Sequence, residues 1–491
     1  MQQNKDGVQK QFKQYGLFSL LFFLSLSLHA SSFEDFKHTQ NNQFTNYKDK
    51  RDAAFENYLK ASWQEYTAKA AKSLYEKPKP KNIAPSVERK IIAIGPRVNI
   101  KIKKEVLKKE LVVIVKPVNI IKENENNLED ISFDFFGKKL LFDINNQIKS
   151  AKYYPQNQLG ISSVFKAFAS SDYEDTLINI QTICKDLKLN DWATYLLVKQ
   201  LSEEIFDSND ESSLFTWFML NKLGYDVKIG LSKDHVVLLH YSHKQIYATP
   251  AYSFNEKKYY HISQYSKSSK NRVYTYEQNY PDADKPLDLE LRELPLFGED
   301  LRKRKLHFEH LKKEYVVSFS YNQNLINFMA TYPQADYDTF FNAPLTNDIY
   351  MSIAKDLKKY IDMEHSSTGI NFVLNFVQKA FLYERDDEQF GREKVMFAYE
   401  TLYYDKSDCE DRAILFATLV KELFNISVVG VKYKDHMATA LYIPMKGDSV
   451  IKDGKRFVIA DPTYINANIG QSMPKYRSKI PESFIVVDKR G

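Results

Sequence analysis

The chain has 491 residues, 43% hydrophobic and 14% aromatic, with only 15 Gly and 16 Pro, which excludes a disordered protein and leaves room for at least two cores. Its 69 basic and 63 acidic residues give a net charge of +6 with no strong single-sign face, so nothing in it favours nucleic acid as a partner. With 2 cysteines in unlike contexts, no disulfide framework is implied.

In chain order, residues 1–30 read as an export signal. Lys5, Lys10 and Lys13 precede an apolar run from Gly16 to Leu28, and cleavage is expected after Ala30. The run is too short to span a bilayer comfortably, and no cysteine follows it to take a lipid. The expected location is the periplasm, the cell envelope or the exterior.

Residues 31–77 predict a long amphipathic helix. Phe33, Phe44, Phe55 and Tyr66 recur every eleven residues, about three helical turns, and Phe36, Tyr47 and Tyr58 do the same, so the aromatics form one stripe along roughly 66 Å. The stripe packs on its own domain, on a second copy or on an envelope partner. Residues 78–130 follow as a Pro-rich spacer, "EKPKPKNIAP", which separates the helix from the rest, and a small β region rich in β-branched residues and Lys.

The remainder reads as a diverged duplication: a first copy over 131–265, a connecting segment over 266–300 and a second copy over 301–491. "ISFDFFGKKLLFDINNQ" from Ile131 matches "LHFEHLKKEYVVSFSYNQN" from Leu306 as strand, turn and strand. "SNDESSLFTWFMLNKLGYDVKIGLSKDH" matches "SDCEDRAILFATLVKELFNISVVGVKYKDH" as helix, turn and strand, and "ATPAY" matches "ADPTY". The first pair is offset by 175 residues and the helices by 200, so the second copy carries about 25 extra residues, placed around "DDEQFGREK".

The chemistry gathers in the second copy. Phe416, Leu419, Val420, Leu423 and Phe424 give one apolar helix face, and Ser407 with Glu410 form a capping-box pattern, so Cys409 falls in the first turn. Free N–H groups and the positive end of the helix dipole there favour a thiolate, whereas Asp408, Glu410 and Asp411 oppose it. "HMATALYI" and "RFVIADPTY" read as an antiparallel pair that brings His436, at the start of one strand, beside Asp461, at the end of the other. A carboxylate next to imidazole fixes its tautomer, and imidazolium next to a thiolate makes the ion pair that a cysteine nucleophile uses. Cys184, among apolar residues at helical spacing, reads as a core thiol.

At "DCEDRAILFATLVKEL", "DHMATALYI" and "ADPTY" the sequence resembles the transglutaminase-like superfamily, with its papain-like core of a Cys-bearing helix against a sheet bearing His and Asp. The resemblance covers roughly 306–476. It implies Cys409 as nucleophile, His436 as general base and acid, Asp461 as the orienting group, and attack on an amide of a protein or peptide substrate. The Cys409 backbone N–H, with Tyr403 or Tyr404, is the implied oxyanion support. The first copy has Asn209, His235 and Thr249 at the matched positions and is expected to be a degenerate, non-catalytic relative. The expected fold is α+β, two tandem transglutaminase-like domains behind the long helix and small β region. No metal and no cofactor is expected, since no His, Cys or carboxylate cluster has metal-site spacing. The competing reading is a non-catalytic envelope binding or scaffold protein.

Overall fold

The computed structural model describes residues 47–61, 63–75, 77–100, 128–233, 235–262 and 272–487. The expected export signal, the helix from Phe33 to Asn46 and most of the β region lie outside these residues. Among them no helix is long and apolar enough to cross a membrane.

The described chain mixes α and β structure in a repeated order. A β-hairpin, Leu128–Phe135 with Lys138–Asn145, opens the first half, and another, Leu301–His310 with Lys313–Asn322, opens the second. Helices follow each hairpin. The last of them, Asn209–Lys222 in one half and Cys409–Phe424 in the other, leads into an antiparallel sheet. In the second sheet the strand order is Ser483–Val486, Val428–Tyr433, His436–Leu441, Lys455–Ala460, Ser449–Lys452. In the first it is Arg272–Tyr276, Val227–Ser232, His235–Tyr241, Lys257–Tyr260, Ala251–Phe254, the same order element by element. One additional edge strand, Trp63–Thr67, joins the first sheet by pairing with Arg272–Tyr276.

That edge strand corrects the expected helix. The helix over 47–59 ends there, and residues 63–67 run in a strand whose Trp63 lies opposite Tyr276. Tertiary pairing overrides the helical reading, because Trp63 gains a tilted ring contact with Tyr274 at 5.7 Å and an edge contact with Tyr276 at 5.3 Å. The described part of the stripe packs on its own half. Phe55 is buried against Phe165, Trp217, Tyr276 and Tyr280, while Tyr47 stays 60% exposed. Lys222 meets the same helix, donating to Asp52 Oδ1 at 2.7 Å, and burial holds its ammonium down at about 8.

The Pro-rich stretch is also not a free spacer. Residues 68–75 and 77–100 form a strap laid over both halves. Lys69 bridges to Ala251 and the Lys72 carbonyl accepts from the Ala248 N–H at 3.0 Å. Further on, the Lys77 N–H donates to the Lys434 carbonyl at 3.4 Å, Ser86 N–H to Ile465 at 2.7 Å, and Val98 N–H to Glu364 at 2.8 Å. Alternating Pro and Lys keeps the strap extended, so its backbone groups find partners on the surface beneath rather than in a helix.

Candidate active site

The Cys409–Phe424 helix is buried on nearly every side through its first three turns, not on one face alone. Its N-cap is Asp408, one residue later than the Ser407 box predicts, and the Asp408 N–H donates to Asp411 Oδ2 at 3.2 Å. Cys409 is therefore the first helical residue. Arg412, fully buried, fastens this end: its Nε donates to Ser407 Oγ at 3.0 Å and its two terminal nitrogens to the carbonyls of Gln378 and Phe381 at 3.1 and 2.8 Å. Burial pulls its guanidinium down to about 10.

His436 and Asp461 meet as the strand pattern predicts. The register pairs Thr439 with Ala460, which sets His436 and Asp461 diagonally on one face, and Nε2 lies 2.9 Å from Asp461 Oδ2. Asp461 Oδ1 accepts from the N–H groups of Thr463 and Tyr464 at 3.0 and 3.2 Å. The imidazole stacks on Tyr476, with centroids 4.7 Å apart, so the ring is held in plane as well as by its carboxylate. An Asp461 bond at Nε2 selects the tautomer that leaves Nδ1 unprotonated, and Nδ1 is buried with no hydrogen-bond partner among the described residues.

The thiol is turned elsewhere. Cys409 is fully buried, its Sγ donates to Glu410 Oε2 at 3.1 Å, and Tyr75 Oη from the strap lies 3.8 Å from it. Burial, reinforced by Glu410 and Asp408, pushes the thiol well above its ordinary range, and Lys79 opposes this without winning. The thiol thus faces Glu410 and Tyr75 rather than forming the thiolate–imidazole pair that the sequence suggests.

Around the thiol lies a knot of carboxyls: Asp386, Glu393, Asp408, Glu410 and Asp411. The strap's Lys79 Nζ enters it, 3.1 Å from Asp386 Oδ2, 2.8 Å from Glu393 Oε1 and 2.7 Å from Glu410 Oε1, and also paired with Asp408. Burial resists ionisation at Glu410, but the Lys79 ammonium holds that carboxyl down at about 2. Burial pushes Asp386 up to about 6, and burial with Glu410 pushes Glu393 up to about 8. Asp408 and Asp411 are raised well above the carboxylate range by burial, then by Asp386 and Glu410. Like-charge crowding is relieved by protons on these two. Asp386, Asp408 and Asp411 are close enough together to hold a cation, as are Asp386, Glu393 and Glu410, although the sequence spacing pointed to no metal. Lys79 already supplies a cation there.

The other expected site residues are not all brought together. Tyr403 packs on Tyr321 and Tyr404 on Phe390, and neither hydrogen-bonds to Cys409; Tyr75 is the phenol beside the thiol. In the first half, Asn209 opens its helix as Cys409 does, but the His235 side chain is 80% exposed, with Nδ1 3.8 Å from Asp210. Thr249 precedes Ala251–Phe254, the counterpart in strand order of Ser449–Lys452. The residue that follows the counterpart of Lys455–Ala460 is His261, so the letter match of "ATPAY" to "ADPTY" falls on the wrong strand. Asn209, Thr249 and His261 line one cavity of about 890 Å³, which Gln334 and Glu393 of the second half also line. Cys184 is a free thiol 3.4 Å from Thr194 Oγ1, pushed up by burial to about 11.

Sequence reasoning missed Tyr75, Lys79 and His261 as site neighbours. The signal available for the first two was the alternation of Lys with Pro, which marks an extended segment able to lay side chains across a cleft. Comparison with protein-family models, with curated proteins and with solved structures returns no match to any part of the chain.

Proposed function

We propose that the chain is an exported, transglutaminase-like cysteine enzyme that acts on amide bonds of a protein or peptide through an acyl-enzyme. The observation that carries this reading is the buried His436–Asp461 pair with Nδ1 left unpartnered, on the sheet against which the Cys409 helix packs. In the reaction, the Cys409 thiol turns from Glu410 and gives its proton to His436 Nδ1 as sulfur attacks the amide carbonyl. The developing oxyanion is met by the Cys409 backbone N–H, which has no intrahelical acceptor at the first helical position. His436 then returns the proton to the leaving amine, and water or a second amine releases the acyl group. Asp461 holds the ring and offsets its positive charge.

The first half, with an amide at the nucleophile position, is a non-catalytic partner under this proposal. A scaffold reading is favoured by one observation, the complete burial of Cys409 under the strap. Iodoacetamide labelling mapped by mass spectrometry separates the two. His436→Ala should slow labelling of Cys409 at neutral pH by about a hundredfold or more, the lower end of general-base assistance, with Cys184 unaffected. Equal labelling of Cys409 in both chains would overturn the enzyme reading and leave the scaffold.

A further inference from the structure

Lys79 is a buried ammonium, 3% exposed, held by carboxyls from two separate stretches of the second half: Asp386 and Glu393 from the extra residues, and Asp408 and Glu410 from the start of the cysteine helix. Among the described residues this ion-pair cluster has no counterpart in the first half. At the corresponding helix start the first half has Ser208 and Asp210, and Asp210 Oδ1 accepts from the Val236 N–H at 2.9 Å instead. The pocket is built only where the cysteine is.

Two further observations point to an occupant rather than a strut. Asp386 Oδ1 is a buried side-chain oxygen with no hydrogen-bond partner among the described residues, although the pocket already holds an ammonium. The segment carrying Lys79 also lies across the nucleophile as an extended polypeptide. Tyr75 Oη donates to Glu410 Oε2 at 3.1 Å, the Lys77 N–H reaches the carbonyl of Lys434 just before the His436 strand, and the Pro80 carbonyl accepts from Tyr383 Oη at 2.7 Å. Tyr75 lies between two cations, with Lys79 at 5.1 Å and Lys432 at 5.3 Å from its ring.

We propose that the pocket of Asp386, Glu393, Asp408 and Glu410 is a specificity site for a lysine side chain of an extended polypeptide substrate, and that Lys79 fills it as the chain's own stand-in. Asp386 and Glu410 accept hydrogen bonds from the ammonium and Glu393 and Asp408 pair with it, which suits Lys and excludes its acetylated form, a neutral amide. The proposal rests on the cysteine-enzyme reading only for the chemistry after binding. Displacement of the strap is what uncovers Cys409.

The test uses the full chain with Lys79→Ala, and a synthetic peptide copying residues 71–83 with either lysine or acetyl-lysine at the position of Lys79. Loss of Lys79 leaves its carboxyl partners buried and uncompensated, so iodoacetamide labelling of Cys409 should rise about tenfold or more, with Cys184 unchanged. The lysine peptide should restore protection and bind, by fluorescence anisotropy, about tenfold or more tighter than the acetylated one. Unchanged slow labelling in a chain that melts normally, or equal binding of both peptides, overturns the proposal. Should Lys79→Ala not fold, hydrogen exchange of the unaltered chain decides: the Lys77 N–H, bonded to the Lys434 carbonyl, must exchange well before the Cys409–Phe424 helix, and its exchange only on global unfolding makes the strap structural. Preferential lysine binding beside an inert Cys409 would keep the pocket and discard the enzyme; a reactive Cys409 without lysine preference would do the reverse.

Discussion

Individual carboxyls around Lys79 tie stability to pH. Burial keeps Glu393 at about 8 and Asp386 at about 6, above their unfolded range, so the folded chain holds protons that the unfolded chain has released. Their contribution is therefore complete below about pH 4 and drains away as pH rises, for Asp386 by about 6 and for Glu393 by about 8. Glu410, held at about 2, acts only at much lower pH, while His240, pulled down by burial to about 3, pushes the other way below neutrality. The clean measurement is a difference. Melting temperatures of the chain and of Glu393→Gln, taken from about pH 6 to 8, should move in favour of the variant as pH rises. A constant difference would place the Glu393 proton elsewhere. The His436–Asp461 pair was legible in the sequence because strand start and strand end fix where they meet, and Cys409 as a helix start, whereas the turn of its thiol towards Glu410 was not. Lys79 was not, because its partners lie some three hundred residues away and only the fold brings them within hydrogen-bond reach.

Among the secondary-structure elements, the N-terminal region shows what an aromatic period leaves open. An eleven-residue repeat marks which residues want burial, and Phe55 and Tyr58 do pack on one side, but the same spacing let residues 63–67 leave the helix for a sheet edge. Whether a segment takes a helix or an edge strand was decided by an unpaired strand, Arg272–Tyr276, elsewhere in the chain. Because Phe55 is buried within its own half, Phe55→Asp should lower stability by several kcal/mol, the scale of losing a large core side chain. Sedimentation velocity on the folded fraction should show no change in mass. A drop from dimer to monomer would instead restore the self-association that the stripe first suggested.

Across both halves, two sheets with the same strand order hold two quite different site floors. The duplication was legible because helix, turn and strand patterns survive divergence. The counterpart of Asp461 was misplaced because two short motifs shared letters while the topology put His261 in the corresponding place. This predicts that Asn209→Cys creates no reactive thiol, because His235, at the position of His436, points to solvent, and burial lowers the basicity of His261, the imidazole that lines the same cavity. Labelling of the new cysteine at the rate of an ordinary buried thiol is expected, and a rate approaching that of an uncovered Cys409 would mean that His261 can serve as its base.

The strap's anchors on either side of the thiol have a kinetic consequence. Residues 69 and 72 are bonded to the first half and residues 86 and 98 to the second, so a released Lys79 cannot diffuse away. A ligand on so short a tether rebinds as though present at a millimolar level or above. A free peptide with the same affinity, at micromolar concentration, would lose that contest by about a thousandfold. Segments presented in dense array, as on a polymer or an assembled surface, would not, because each failed encounter is followed at once by another. The same chain would then be almost silent towards dilute substrate and active against a crowded one, with no second effector required.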